Sequence, residues 1–199
     1  LLDQGFQIGE VVARIRAERA SGAPARPPSE SIPSLREQLI ARLLDYDRTG
    51  AEEVVTRLME LSFRRRLDEV YVPVLHAIGE GWAEGRYTVA QEHFATALVR
   101  EQMVAMLKSL EVGPRDGPLT VCAGYPGDTH ELGLMAVAIH LALRGHRIVY
   151  LGANLPMDEL AQVLGSRVAN LACVSAITQG DPASVYTDAV ALRRRVPAA

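Results

Sequence analysis

Two cysteines are too few for a disulfide scaffold, and neither Cys122 nor Cys173 has a CxxC partner or a histidine at zinc spacing. Both sit in apolar runs and read as small buried hydrophobes, which points to a reducing, cytoplasmic compartment. Basic residues are not in excess either. With 21 Lys and Arg against 24 Asp and Glu, the net charge is -3 and the pI about 6.0. That excludes the clustered positive charge needed to hold nucleic acid tightly. No apolar stretch approaches the roughly 20 residues of a membrane helix, and no signal peptide is visible. The chain opens on Leu1-Leu2 without a Met, so it is expected to be a piece of something longer. What is present is ample apolar content: 48% of 199 residues, enough for one large core or, the better reading, two smaller ones.

Residues 4–19 carry Ile8, Val11, Val12 and Ile15 at helical spacing. Residues 1–20 are therefore read as the remnant helix of an upstream domain. Residues 21–33 concentrate Pro24, Pro27, Pro28 and Pro33 and read as a linker. From residue 34 to 113 the pattern is helical with short connections, predicting a four-helix bundle with helices near 34–48, 51–63, 67–84 and 88–111. Ser34 with Glu37, and Thr88 with Gln91, are capping-box signals for two of the helix starts.

Beyond Gly117-Pro118 the period changes. Short runs at 119–123, 147–151 and 171–176 alternate with helical stretches near 131–144, 156–164 and 181–195, a βαβ pattern that predicts a parallel sheet with helices on both faces. The fold class is thus α plus α/β: a bundle followed by a Rossmann- or flavodoxin-like domain over 117–199. Such domains usually have about five strands, so the three found here predict a truncated sheet.

Ligands of open parallel sheets bind beyond the C-terminal ends of the strands. The loop Gly124 to His130 leaves that end of the first strand. Asp128 and His130 stand two apart, so the carboxylate can hold one imidazole nitrogen while the other meets a ligand, the arrangement that orients metal-bound histidines. Gly133 lets a bulky group approach the following helix. An isolated Asp-x-His is more often a hydrogen-bonded turn; strand, glycine-rich loop, Asp-x-His-x-x-Gly and helix in that order favour the ligand reading. In the bundle, a lone Trp82 is by itself most simply a core residue. Glu92-His93, on the first turn of the next helix, adds two hydrogen-bonding side chains beside the same connection.

Asp128-Thr129-His130-Glu131-Leu132-Gly133 resembles the cobalamin-binding motif of corrinoid enzymes and of the CarH-like light-responsive regulators. The resemblance implies that His130 replaces the cofactor's own base as lower cobalt ligand, with Asp128 orienting it and Thr129 and Gly133 beside it. It also makes Ser175, in Val174-Ser175-Ala176-Ile177, a candidate contact for the displaced nucleotide tail; the family's later Gly-Gly motif has no counterpart before Ala199. The segment from Gly79 to His93 resembles the helical cap of the CarH-like photoreceptors, a Trp followed at about nine residues by Glu-His. It implies that Trp82, Glu92 and His93 pack over the upper cobalt face. One position departs: Ala83 stands where those regulators commonly have a histidine, and a methyl group cannot ligate cobalt. His93 and His76 are the possible substitutes.

His140, His146 and the runs Arg64-Arg65-Arg66 and Arg193-Arg194-Arg195 receive ordinary readings, as helix-end or solvated side chains. The functional expectation is a non-enzymatic cobalamin-binding sensory module of a MerR-type transcription regulator. Adenosylcobalamin is the expected cofactor, cleaved by light at its cobalt–carbon bond; a homo-oligomer is expected, with DNA held only through a domain outside this chain. The alternatives are a corrinoid carrier of a methyltransferase system, and a cobalamin-dependent regulator answering another signal or a second chromophore.

Overall fold

The computed structural model describes residues 30–111, 116–166, 169–177 and 181–196. The expected helix over 4–19, and the linker up to residue 29, lie outside the described residues. The bundle begins with α1, Ile32–Leu44, and α2, Arg48–Leu58. A third helix enters as α3, Phe63–Arg66, passes through a π-helical turn at Leu67–Tyr71 and continues as α4, Val72–Ala83. The fourth, α5, spans Val89–Leu110.

Local chemistry sets these starts. At α1 the expected Ser34/Glu37 box is not the cap. Ser31 accepts the Ser34 N–H at 3.3 Å, and Pro33 sits in the first turn, where its missing N–H costs nothing. The helix therefore begins inside the segment read as linker. Asp47 caps α2 by accepting the Gly50 N–H. At α5 the box is complete: Gln91 N–H donates to Thr88 Oγ1, and Thr88 N–H donates to Gln91 Oε1. Gln91 also donates to the Leu44 carbonyl at 2.9 Å, tying the start of α5 to the end of α1.

Leu35, Leu39 and Leu43 form one stripe of α1 and meet Val54, Leu58, Ile78, Leu98 and Met103 in a continuous core. Each such side chain contributes roughly 1.5–3 kcal/mol by leaving water. Arg66 departs from the solvated reading of its run: it is only 6% exposed, stacked over the Phe63 ring at 4.4 Å with Nη1 directed at Met59 Sδ. Its long stem and flat guanidinium suit it to cover an apolar seam. Arg64 and Arg65 stay on the surface, paired with Asp68 and Glu69.

The second unit is a parallel sheet of β1 (Leu119–Gly124), β2 (Arg147–Tyr150) and β3 (Leu171–Ser175) in the order β2-β1-β3. Its helices are α6 (Leu132–Ala142), α7 (Met157–Ser166) and α8 (Pro182–Arg195). Side chains of β1 alternate between two faces, as a strand must. Val121 and Ala123 pack with Leu160, Leu164 and Leu192 of α7 and α8. Cys122 turns to the other face and joins Leu134, Met135, Ala138 and Ile139 of α6 in the core shared with the bundle. So α6 is the layer between bundle and sheet. The loop leaving β1 opens where the chain first crosses to β2 and later returns beside β1 as β3, the reversal point at which open sheets bind ligands.

Candidate functional site

The Asp128 side chain is 1% exposed and holds the loop together. One oxygen accepts from the His130 N–H at 2.9 Å and lies 3.0 Å from His130 Nδ1; the other accepts the Ile177 N–H just past the end of β3. The Tyr125 N–H donates to the Ser175 carbonyl, a second tie to β3, and the Gly127 N–H to Asn154 Oδ1. With Nδ1 committed to Asp128, Nε2 is the nitrogen of His130 that can donate to a metal. The imidazole itself is 54% exposed, on the wall of a cavity of about 740 Å³ between bundle and sheet. That volume lies in the range, roughly 300–1,000 Å³, that encloses a sizeable organic ligand.

The opposite wall comes from α4 and α5. Their connection is tight: the Gly81 carbonyl accepts the N–H groups of Arg86 and Tyr87, and a Cβ on Gly81 would fall 2.1 Å from the Tyr87 ring. Gly85 turns the chain at φ 73°. This places Trp82, Glu92 and His93 on one rim, all facing the cavity. Trp82 is 49% exposed and so is no core residue of the bundle. Glu92 accepts from the Thr96 hydroxyl at 2.8 Å and lies 3.6 Å from His93 Nε2.

Of the residues singled out in the sequence, Trp82, Glu92, His93, Thr129, His130 and Gly133 meet around this one cavity, with Asp128 buried behind His130. Ser175 ends β3 and is not among the lining residues. Ala83 is exposed and also outside the lining, whereas His76 is part of it. Thr96, Arg100 and Glu131 went unremarked in the sequence. Their signal was available: Glu92, Thr96 and Arg100 recur every four residues and so share one face of the helix. Arg100 clasps Glu131 with two hydrogen bonds, 2.7 and 3.1 Å, and that carboxylate raises the Arg100 pKa. The Tyr150 hydroxyl donates to the Glu131 carbonyl, and burial pushes its pKa well up. His140 and His146 are structural: His140 Nε2 lies 2.8 Å from Asp68 Oδ1 across the bundle interface, and His146 Nδ1 bonds Thr120.

Which group fits such a site? Among the described residues no cluster of three or more His, Cys, Asp or Glu side chains could hold a bare metal ion. A protein-bound ion needs three or four ligands. His130 alone suits a metal that arrives already ringed by its own macrocycle. The space agrees: a Cβ on Gly79 in the cavity wall would meet nothing within 4 Å, and one on Gly133 only Ile177 Cδ1 at 3.6 Å. These features define a class, a helical cap over the C-terminal edge of a parallel sheet, with one oriented histidine on the wall of the cavity between them.

Residues 35–107 match the family model described as B12 binding domain. The cofactor is a cobalamin. The chain is similar to the HTH-type transcriptional repressor CarH of Myxococcus xanthus, 30% identical over 175 residues that cover 82% of this chain and 57% of the repressor. It is also similar to the repressor CarA of the same organism, 31% identical over 199 residues covering 94% of this chain and 62% of CarA. The chain thus spans less than two thirds of the length of these relatives. In fold it resembles the monomethylamine corrinoid protein of Methanosarcina barkeri, with TM-score 0.65 and 15% identity over 83% of this chain and 78% of that one.

Proposed function

We propose that this chain is the cobalamin-binding sensory module of a light-dependent transcriptional regulator. The observation that carries the reading is the pairing of two walls across one cavity: His130, oriented by buried Asp128, on the sheet side, and Trp82, Glu92 and His93 on the bundle side. Similarity to two transcriptional repressors supports the regulatory half, and a non-enzymatic role with it. His130 would hold the cobalt of a bound cobalamin through Nε2, with Nδ1 kept by Asp128. Asp128, Thr129 and Gly133 complete the lower side, and Ser175, at the end of β3, is kept for the nucleotide tail. Adenosylcobalamin supplies a light-labile cobalt–carbon bond when bound.

Trp82, Glu92 and His93 would pack against its upper group in the dark. With that contact gone, the wall formed by Trp82, Glu92 and His93 would lose its partner, and α4 and α5 could settle differently against the sheet. The output is a change in homo-oligomeric state that alters DNA binding by a MerR-type helix-turn-helix domain outside this chain, in the cytoplasm. Among the described residues no helix is long and apolar enough to cross a membrane.

The test compares protein loaded with adenosylcobalamin in darkness before and after green light. The absorption spectrum and the gel-filtration volume are expected to change together; an unchanged spectrum removes light as the signal. Ala83 favours a second version, since the position after Trp82 offers no donor to the upper face. In that version the regulator answers another signal, and oligomeric state follows cofactor loading rather than illumination.

A further inference from the structure

Glu92, Thr96 and Arg100 lie at four-residue spacing on α5, and all three line the cavity. Thr96 donates to Glu92 on the upper wall, while Arg100, about 12 Å further along the helix axis, grips Glu131 in a two-bond clasp. Glu131 follows His130 directly in the chain and precedes the first turn of α6. His130 is therefore pinned from both sides. Two residues before it, Asp128 is fastened to the end of β3; one residue after it, Glu131 is fastened to α5 and, through its carbonyl, to Tyr150 of β2.

We propose that Arg100 is a positioning residue, which makes the placement of the His130 imidazole depend on α5. The inference rests on reading His130 as the axial donor. A helix is stiff over this length, so the wall bearing Glu92 and His93 and the donor below move as parts of one lever. A shift of α5 at its upper end drags Glu131, and with it the residue that holds the metal. The second link between bundle and α6 supplies the comparison. His140 and Asp68 join the same two units at the opposite end of α6 without touching the loop.

The experiment uses the full chain loaded with hydroxocobalamin. It reads the absorption signature of histidine-bound cobalt and the rate at which cofactor leaves, beside thermal melts of the unloaded protein. Arg100→Gln and Glu131→Gln are expected to move the signature toward water-bound cobalt and to speed cofactor loss about fivefold, the scale of a two-bond ion pair at a half-exposed site. The exchanged pair R100E with E131R should restore both, and Asp68→Asn should leave the signature as in the parent. Arg100→Gln behaving as Asp68→Asn does would overturn the inference, as would an exchanged pair that folds but does not restore. If that pair does not fold, the comparison of Arg100→Gln with Asp68→Asn decides. A parental signature in His130→Ala would instead remove the axial-ligand reading, and this inference with it.

Discussion

Replacing Asp128 tests the centre of the site, because one buried carboxylate does two jobs at once. It accepts the backbone N–H groups of His130 and Ile177, and it holds the His130 ring by Nδ1. In Asp128→Ala the two N–H groups lose a charged acceptor in a place water barely reaches. Hydrogen bonds to charged groups contribute about 1.5–3 kcal/mol each, and partial relaxation of the loop recovers some of that, so a loss of about 3 kcal/mol is expected. Urea unfolding of the unloaded protein measures it. Separately, an imidazole without its orienting partner is a poorer donor, and loss of such partners weakens metal binding about 10–100-fold. Titration with hydroxocobalamin reads that arm. Asp128→Asn keeps one acceptor oxygen but turns an amide N–H toward a backbone donor, so it should be milder in stability and nearly as severe in binding. Parental stability and parental affinity in Asp128→Ala would refute the assignment; lost stability with parental affinity would leave Asp128 as a loop staple only.

Gly81→Ala must displace the Tyr87 ring, and overpacking at this turn is expected to cost about 1–3 kcal/mol in a denaturation measurement and to disturb the rim carrying Trp82. Burial pushes the Cys122 thiol up to about 12, so the folded pKa lies above the unfolded one. Its contribution to stability is full below the unfolded value of about 8.5 and is lost as pH rises toward about 12. Mass spectrometry after iodoacetamide at pH 8 should find Cys122 unmodified in the folded protein and modified in urea; rapid labelling while folded would contradict the burial. Ala83→His should create a stable light-state adduct visible as a new absorption band, and no new band would mean that position 83 does not reach the cobalt.

Much of this is legible in the sequence. The Asp128–His130 pair, the Thr88–Gln91 cap, and the switch from helical to βαβ periodicity each depend on residues within one element or one loop. Short-range chemistry of that kind is written directly in the spacing. The misreadings share a different cause. Ser34 with Glu37 completes a capping pattern, but Ser31 with Pro33 starts the helix one turn earlier and Ser31 accepts the Ser34 N–H instead, and sequence offers no way to weigh the two starts. Arg66 was read by its neighbours in the Arg run, yet its burial is decided by Phe63 and Met59 packing around it at the π-turn.

By itself the sequence determined the two-unit architecture and the pairing of Asp128 with His130, because backbone periodicity and a two-residue spacing are local, while the kind of ligand came from a family resemblance. Only the tertiary structure decided that Trp82 lies on a cavity rim rather than in a core, and that Glu92, His93 and His130 face each other across one space. It alone placed Ser175 outside the lining and brought Arg100 to Glu131, 31 residues apart in sequence. Those outcomes follow from how α6 shares one core with the bundle while β1 divides that core from the one under α7 and α8, a long-range packing result that no spacing along the chain encodes.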